Sequence, residues 1–366
     1  MLPYCFLVGT PLLFSLFYNL KGEPQPIQQL NTGKKNYNVI IFFFLLFVLL
    51  SLRSVDTGID LSVYKLYFTH YGKFSWAAIY ENLGDEIGYY SLNKIINIIS
   101  GDNFQIMLTV VAFICCFLIG KFYYEESENG MMTILLFLTA TSVFDMLFSG
   151  LRQAVAISFA VPAYYCVKNK KIWLFLLCVF FASLFHQSAT ILVLLYPIYH
   201  IKLKPVHAAM LLAPTAVITY VFRKPIFKFL VPLAGEEYVD KYGGTQDTGA
   251  KMMIILVALF VTFSFLVPDE EKLDDETRGL RNILSLSLLL QIFSAANYVA
   301  MRFNYYFLLF LPITIPRIIN RWKGDDKNSK NTTRIVIIVF FAAYYFYRAF
   351  TDRDPLNIYP YTFFWQ

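Results

Sequence analysis

Apolar residues fill this chain in long continuous blocks. Short polar stretches separate them, without the strict alternation of a half-buried strand. Blocks approaching twenty residues fit helices that cross hydrocarbon. They predict spans near Tyr4–Leu20, Tyr37–Leu52, Phe104–Lys121, Met131–Phe148, Arg152–Val167, Ile172–Phe185 and Ser188–His200. Further spans are expected near Val206–Phe222, Ala250–Val267, Asn282–Val299, Phe303–Ile319 and Arg334–Phe350. The pattern describes an all-α polytopic membrane protein of about twelve transmembrane helices, a single transmembrane domain over 1–366. Gly88–Ser100 is apolar but short and carries Asn93, Lys94 and Asn97, so it is expected to lie along the surface.

Composition sharpens this picture. The chain is 57% hydrophobic and 15% charged, which excludes an ordinary soluble domain. The 37 Phe and 26 Tyr suit helix packing and interface anchoring. All five cysteines (Cys5, Cys115, Cys116, Cys166, Cys178) lie inside apolar stretches, so neither a disulfide framework nor a metal site is expected. The first apolar block has no basic leader and is followed by more spans, so it is expected to remain as a membrane helix.

The net charge of +6 reports orientation, not nucleic-acid binding, because the basic residues sit in short loops between spans. With loops 21–36, 121–130, 168–171, 201–205, 268–281 and 320–334 inside, the cytoplasmic set is about twice as dense in Lys and Arg as the external set. Both termini then lie outside. So do two long segments: 53–103, with an amphipathic helix, and 223–251, a Pro- and Gly-containing loop that could cover a site.

This topology gathers unusual charges on the external side. Arg53 ends a span and is followed by Asp56, Asp60 and Tyr64; Glu86 precedes the short helix; Arg152 and Gln153 occupy a minimal turn between two apolar runs. His186 sits in an apolar hairpin, and Arg302 shares another minimal turn with Asn304 and Tyr305. Charge beside hydrocarbon is costly and usually faces a polar cavity. Each position also has a plainer reading. Arg53, Arg152 and Arg302 could snorkel to the interface, Asp60 and Glu86 could cap helices, and His186 could satisfy backbone groups at a helix break. On the functional reading, His186 would serve as a general base, a proton shuttle or a hydrogen-bond donor to substrate, and Arg53, Arg152 and Arg302 would bind an anion such as a diphosphate or a carboxylated sugar. No P-loop, dinucleotide fingerprint, zincin, nucleophile elbow or kinase signature is present.

At these residues the chain resembles the EpsG branch of the Wzy-type polysaccharide polymerases. The resemblance lies in the order of Arg53, Gly58-Ile59-Asp60 and Tyr64, then Glu86-Ile87-Gly88-Tyr89 and Arg152-Gln153-Ala154. It continues through Phe185-His186-Gln187-Ser188-Ala189, Arg302-Phe303-Asn304-Tyr305-Tyr306 and a closing Tyr359-Pro360-Tyr361, covering most of the chain. It implies a GT-C-like glycosyltransferase of the bacterial inner membrane with an external cavity on the periplasmic face. Such an enzyme would join undecaprenyl-diphosphate-linked repeat units into O-antigen, capsule or exopolysaccharide chains, with no metal and no other cofactor. Its catalytic residues would be His186, Asp60 and Glu86; its substrate contacts would be Arg53, Arg152, Gln153, Arg302, Asn304 and Tyr305. The implied partners are the lipid-linked glycan donor and acceptor, the bilayer, and a chain-length regulator and flippase. The alternatives are an O-antigen ligase or other lipid-linked GT-C transferase, and a flippase or transporter of lipid-linked sugars.

Overall fold

The computed structural model describes residues 2–20, 36–82, 86–202, 204–230, 251–351 and 356–366. Two isolated antiparallel bridges join Arg53 to Phe363 and Pro268 to Trp322; the regular elements among the described residues are otherwise helical. The chain divides into two compact units, Met1–Thr190 with Arg334–Gln366, and Ile191–Thr333.

The first unit begins with α1 (Leu2–Leu20) and α2 (Tyr37–Leu52), then α3 (Leu61–Gly72), α4 (Trp76–Asn82) and α5 (Ile87–Ser100). It continues through α6 (Phe104–Glu126), α7 (Gly130–Ala140), α8 (Val143–Ser149), α9 (Leu151–Ser158), α10 (Ala160–Lys168) and α11 (Ile172–Phe185). Helix α2 packs along α6, and α9 packs against both α6 and α11. Side-chain caps start two of these helices: Asn103 accepts from the Gln105 amide at α6, and Asn129 accepts from the Met132 amide at α7. The predicted span Met131–Phe148 is bent by 62° between α7 and α8. The bend falls at Thr141-Ser142, where Ser142 is left-handed (φ 55°) and the Thr141 hydroxyl donates to the Phe137 carbonyl and accepts from the Val143 amide. A hydroxyl that serves both sides of a break lets helix stop without stranding buried backbone groups.

The second unit contains α12 (Leu195–His200), α13 (Pro205–Leu230), α14 (Lys251–Leu266), α15 (Asp275–Ser294), α16 (Met301–Leu308) and α17 (Leu311–Asn320). Its centre is α15, which packs against α12, α13, α14, α16 and α17. Asp274 caps α15 through the Thr277 amide at 2.6 Å, and Asp275 and Glu276 follow in the first turn, where carboxylates oppose the helix dipole. The last helix, α18 (Lys327–Phe350), lies mostly in the first unit.

The spans differ from the hydropathy reading. Among the described residues, three helices are long and apolar enough to cross a membrane: Phe104–Glu126, Pro205–Phe229 and Lys327–Phe350. The number rises to 5 if the α7–α8 pair and the pair Tyr298–Leu308 with Leu311–Asn320 each count as one bent span. Tyr37–Leu52, Ile172–Phe185 and Lys251–Leu266 are apolar but shorter. The block Ser188–His200, expected as a span, is instead a 3-10 helix (Gln187–Leu194) followed by the short α12. Hydropathy sums apolar residues and does not register where backbone geometry changes. Outward-facing Phe113 and Phe117 on α6, Met210 and Val217 on α13, and Val336, Val339 and Phe340 on α18 leave wide apolar faces suited to lipid. The protein is an integral membrane protein.

The segment 53–103, expected to be external, holds three short helices among its described residues. Helix α5 has 14 residues, about 21 Å of rise, and is too short for a bilayer core of about 30 Å. It buries Tyr89, Asn93 and Ile96 and exposes Ile95, Ile98 and Ile99. In the second predicted loop, 223–230 continue α13, and 231–250 lie outside the described residues.

Candidate active site

Three chain segments far apart in sequence meet at Glu86. Glu86 stands just before α5, in the position of an N-cap, yet its side chain makes no capping bond. The carboxylate turns instead toward the C-terminal end of α11 and the first turn of α9. His186 follows the last residue of α11 in an extended conformation (φ −157°, ψ 124°), which directs its ring out of the helix. Arg152 is the second residue of α9, directly after the Gly150 break.

Gly88 makes this meeting possible. A Cβ at Gly88 would fall 2.9 Å from Leu184 Cβ and 3.0 Å from the Leu184 carbonyl oxygen, closer than side-chain carbons pack. The missing side chain lets the start of α5 abut the end of α11. One Glu86 oxygen (Oε1) then pairs with His186 Nδ1, and the other (Oε2) pairs with Arg152 Nη1. The Gln187 amide adds a longer bond to Oε1 at 3.4 Å. The Glu86 and His186 side chains are 12% and 7% exposed, whereas Arg152 retains 35%. The interior of the cluster is therefore nearly dry, and its cationic end opens outward.

Burial alone would favour protonated Glu86. The hydrogen bond from His186 and the charge of its protonated form, with Arg152 and the Gln187 amide, outweigh it and hold the carboxyl below its ordinary range. A carboxylate held this way orients its neighbours better than it takes up a proton. Aromatic rings line the rest of the cluster. The Arg152 guanidinium lies 5.8 Å from the Tyr64 ring centroid, and Tyr64 meets the buried Tyr89 at 5.8 Å. Helix α3, which carries Tyr64, is anchored by Lys94 of α5, whose Nζ donates to the carbonyls of Gly72 (2.8 Å) and Phe74.

The other expected site residues are placed differently. Asp60 is exposed at the start of α3 and makes no capping bond; its carbonyl accepts from the Tyr64 amide at 3.0 Å. Among the described residues its carboxylate does not join the Glu86 cluster by a hydrogen bond or ion pair. Gln153 follows Arg152 and is buried. Arg53 is 1% exposed and lies over the Phe148 ring at 5.5 Å, near Tyr4 and Tyr361. It forms no ion pair among the described residues, and burial pulls its guanidinium down to about 10.

Arg302, Asn304 and Tyr305 belong to the second unit. Arg302 and Tyr305 are half-buried in α16. Asn304, expected to contact substrate, is fully buried, and its amide is committed to α15. Its oxygen accepts from Ser287 at 2.8 Å, and its nitrogen donates to Gln291 at 2.8 Å. Asn304 therefore ties the helix of Arg302 to α15.

A largely buried ion pair lies outside the expected site residues. Arg348 of α18 reaches both oxygens of Asp145 in α8, at 3.2 and 3.1 Å. Asp145 lies within the apolar run Met131–Phe148, and a lone acid in hydrocarbon was the available signal. Among the described residues no three His, Cys, Asp or Glu side chains come together as a metal-binding group.

No curated protein and no solved structure matches the chain. Residues 36–363 match the sequence model of the EpsG family, from the start of α2 to the C-terminal segment, and so include every residue of the Glu86 cluster. The chain therefore belongs to the EpsG family, a family of Wzy-type polysaccharide polymerases.

Proposed function

We propose that this protein lengthens a bacterial glycan by joining undecaprenyl-diphosphate-linked oligosaccharide repeat units at the periplasmic face of the inner membrane. The O-antigen, capsule and exopolysaccharide classes all fit this reading. The observation that carries it is the Arg152–Glu86–His186 constellation, which sets a base and a cation on one carboxylate in a nearly dry setting.

In the reaction, a hydroxyl of the acceptor unit attacks the anomeric carbon of the donor glycan. The new C–O bond forms as the bond to the diphosphate breaks, and undecaprenyl diphosphate departs with the electron pair. The hydroxyl proton needs an acceptor. In the neutral form of His186, with Nδ1–H donated to Glu86, the lone pair lies on Nε2, and that atom takes the proton to give the imidazolium. Glu86 fixes the tautomer and steadies the imidazolium that forms, the role a carboxylate plays behind a histidine base in hydrolytic triads. Arg152 is the most exposed member and presents its planar fork to the leaving diphosphate as negative charge grows there. Asp60, exposed one helical turn before Tyr64, is a candidate for an acceptor-sugar contact and a weaker candidate for the base. Arg302 is a separate candidate diphosphate contact.

The test is reconstitution of the purified protein in nanodiscs with lipid-linked repeat units and no other factor. Wild type is expected to produce a ladder of products. Arg152→Ala is expected to leave single units on lipid, and Arg302→Ala tests the second arginine on its own. Normal chain length from Arg152→Ala, at wild-type protein levels, would refute the diphosphate assignment. A wild-type protein that leaves single units unchanged would refute polymerisation by this chain alone.

A further inference from the structure

Arg53 is a buried cation that the mechanism above does not use. It is 1% exposed, and neither Nε nor Nη1 finds a hydrogen-bond partner among the described residues. Its neighbours are the Phe148 face, Tyr4, Tyr361, Cys115 and Cys116. The guanidinium stays protonated at neutral pH even with its affinity for the proton lowered to about 10. A ring face offsets only part of the desolvation of an arginine, and among the described residues no carboxylate pairs with this charge.

The C-terminal segment Leu356–Gln366 covers this charge. It is not helical; main-chain and side-chain hydrogen bonds attach it to the loop that carries Arg53, and Ile358, Tyr359 and Tyr361 are buried, with the Tyr359 and Tyr361 rings 4.5 and 5.8 Å from the Tyr4 ring. The Ser54 amide donates to the Thr362 carbonyl (2.8 Å), the Phe364 amide to Leu52 (3.0 Å) and the Ile59 amide to Leu356 (2.9 Å). Thr57 accepts from the Thr362 amide at 3.1 Å, and Asn357 Nδ2 donates to the Asp56 carbonyl at 2.7 Å. Tyr361 donates to the Leu49 carbonyl at 2.7 Å, which sets its ring beside Arg53. Water can replace these hydrogen bonds at small net cost, and the outer residues Phe364 and Trp365 are already exposed; exposing the buried Ile358, Tyr359 and Tyr361 is the cost that anion binding must offset.

We propose that Arg53 is a concealed anion site and that Leu356–Gln366 is a strap over it, displaced when a diphosphate group pairs with the guanidinium. The ligand chemistry follows from the group. A rigid fork of donors with no carboxylate partner among the described residues matches the paired oxygens of a phosphate. The source is either a lipid headgroup or a free diphosphate, and the proposal rests on the lipid-diphosphate reading of the function.

Hydrogen exchange on the full-length protein in nanodiscs tests it. The reporting peptides are Ser51–Asp60 and Leu356–Gln366, with farnesyl diphosphate, inorganic pyrophosphate or farnesol added. Either diphosphate should speed exchange of the Ser54, Ile59, Thr362 and Phe364 amides by about tenfold or more, and farnesol should not. A response to farnesyl diphosphate alone assigns the site to a lipid headgroup; an equal response to pyrophosphate assigns it to the free anion. Arg53→Met removes the charge and keeps the bulk, so without ligand it should slow strap exchange and abolish the response. If Arg53→Met does not fold, Arg53→Lys, which keeps charge without the fork, should respond more weakly than wild type. Exchange unmoved by either diphosphate, faster strap exchange in Arg53→Met, or a full response from Arg53→Lys would overturn the proposal. Polymerisation by a wild-type protein with an unmoved strap would sink the strap and leave the function standing. A responding strap without polymerisation would do the reverse.

Discussion

Glu86→Gln is the sharpest test of the Glu86 cluster, because it removes charge while keeping size. The carboxylate serves His186 through one oxygen and Arg152 through the other, with 12% of its side chain exposed. Glutamine keeps one acceptor oxygen. Its NH2 must then face Arg152, placing donor against donor, or face His186 Nδ1, which demands the opposite tautomer. Either choice loses one charge-assisted hydrogen bond, worth about 1.5–3 kcal/mol in a nearly dry setting. The Arg152 side is 35% exposed, so its share is screened and is discounted. The loss falls on a group that positions the base, so it is expected in kcat, by roughly 10- to 150-fold, with KM little changed. Initial rates of repeat-unit consumption in nanodiscs measure it. Activity within about twofold of wild type, or a loss confined to KM, would refute the orienting role. The same variant carries a pH signature. The Glu86 carboxyl is held below its ordinary range, so folded protein binds fewer protons than unfolded protein there. Its stabilisation is present above the ordinary carboxylate range and is lost as pH falls through the lower folded value. Thermal unfolding in detergent across that range should therefore fall less steeply for Glu86→Gln than for wild type.

Three other substitutions probe the supports. Gly88→Ala places a carbon 2.9 Å from Leu184 Cβ, so α5 and α11 must part; stability should drop by about 1–3 kcal/mol and activity with it, and unchanged melting and rate would mean that this contact is slack. Asn304→Ala strands Ser287 and Gln291 in a buried setting and should cost about 1–3 kcal/mol in thermal unfolding; a neutral result would remove the link between α16 and α15. Asp145→Leu alone should destabilise by about 3–5 kcal/mol because Arg348 loses its anion, whereas Asp145→Leu with Arg348→Met should recover most of it; equal loss in single and double variants would show that shape, not charge, matters there.

The site was partly legible before the fold was known. Glu86, Arg152 and His186 stood out because each interrupts or borders apolar sequence where charge is costly. What they do together was not legible, since positions 86, 152 and 186 share no helical or strand period. Glu86 had an equally good local reading as a helix cap, and only its turned carboxylate excludes that. Asn304 looked like a substrate contact in a polar turn, but it proves to be an interior tie. Asp145 passed unnoticed because its partner Arg348 lies on the last helix.

The apolar blocks by themselves determined the membrane class of the protein, the polar character of its loops and the order of motifs that marks the family. Those properties follow from transfer free energies summed along the chain, and a sum along the chain needs no coordinates. Which charges pair, which helices break and which arginine is hidden were decided only in three dimensions. Pairing depends on distance and on the exclusion of water, which arise when α5, α9 and α11 close on one another. Arg53 and Arg152 are the same residue type at similar span boundaries. One is buried beside the C-terminal segment with no anion among the described residues, and the other is held on a carboxylate at an open edge.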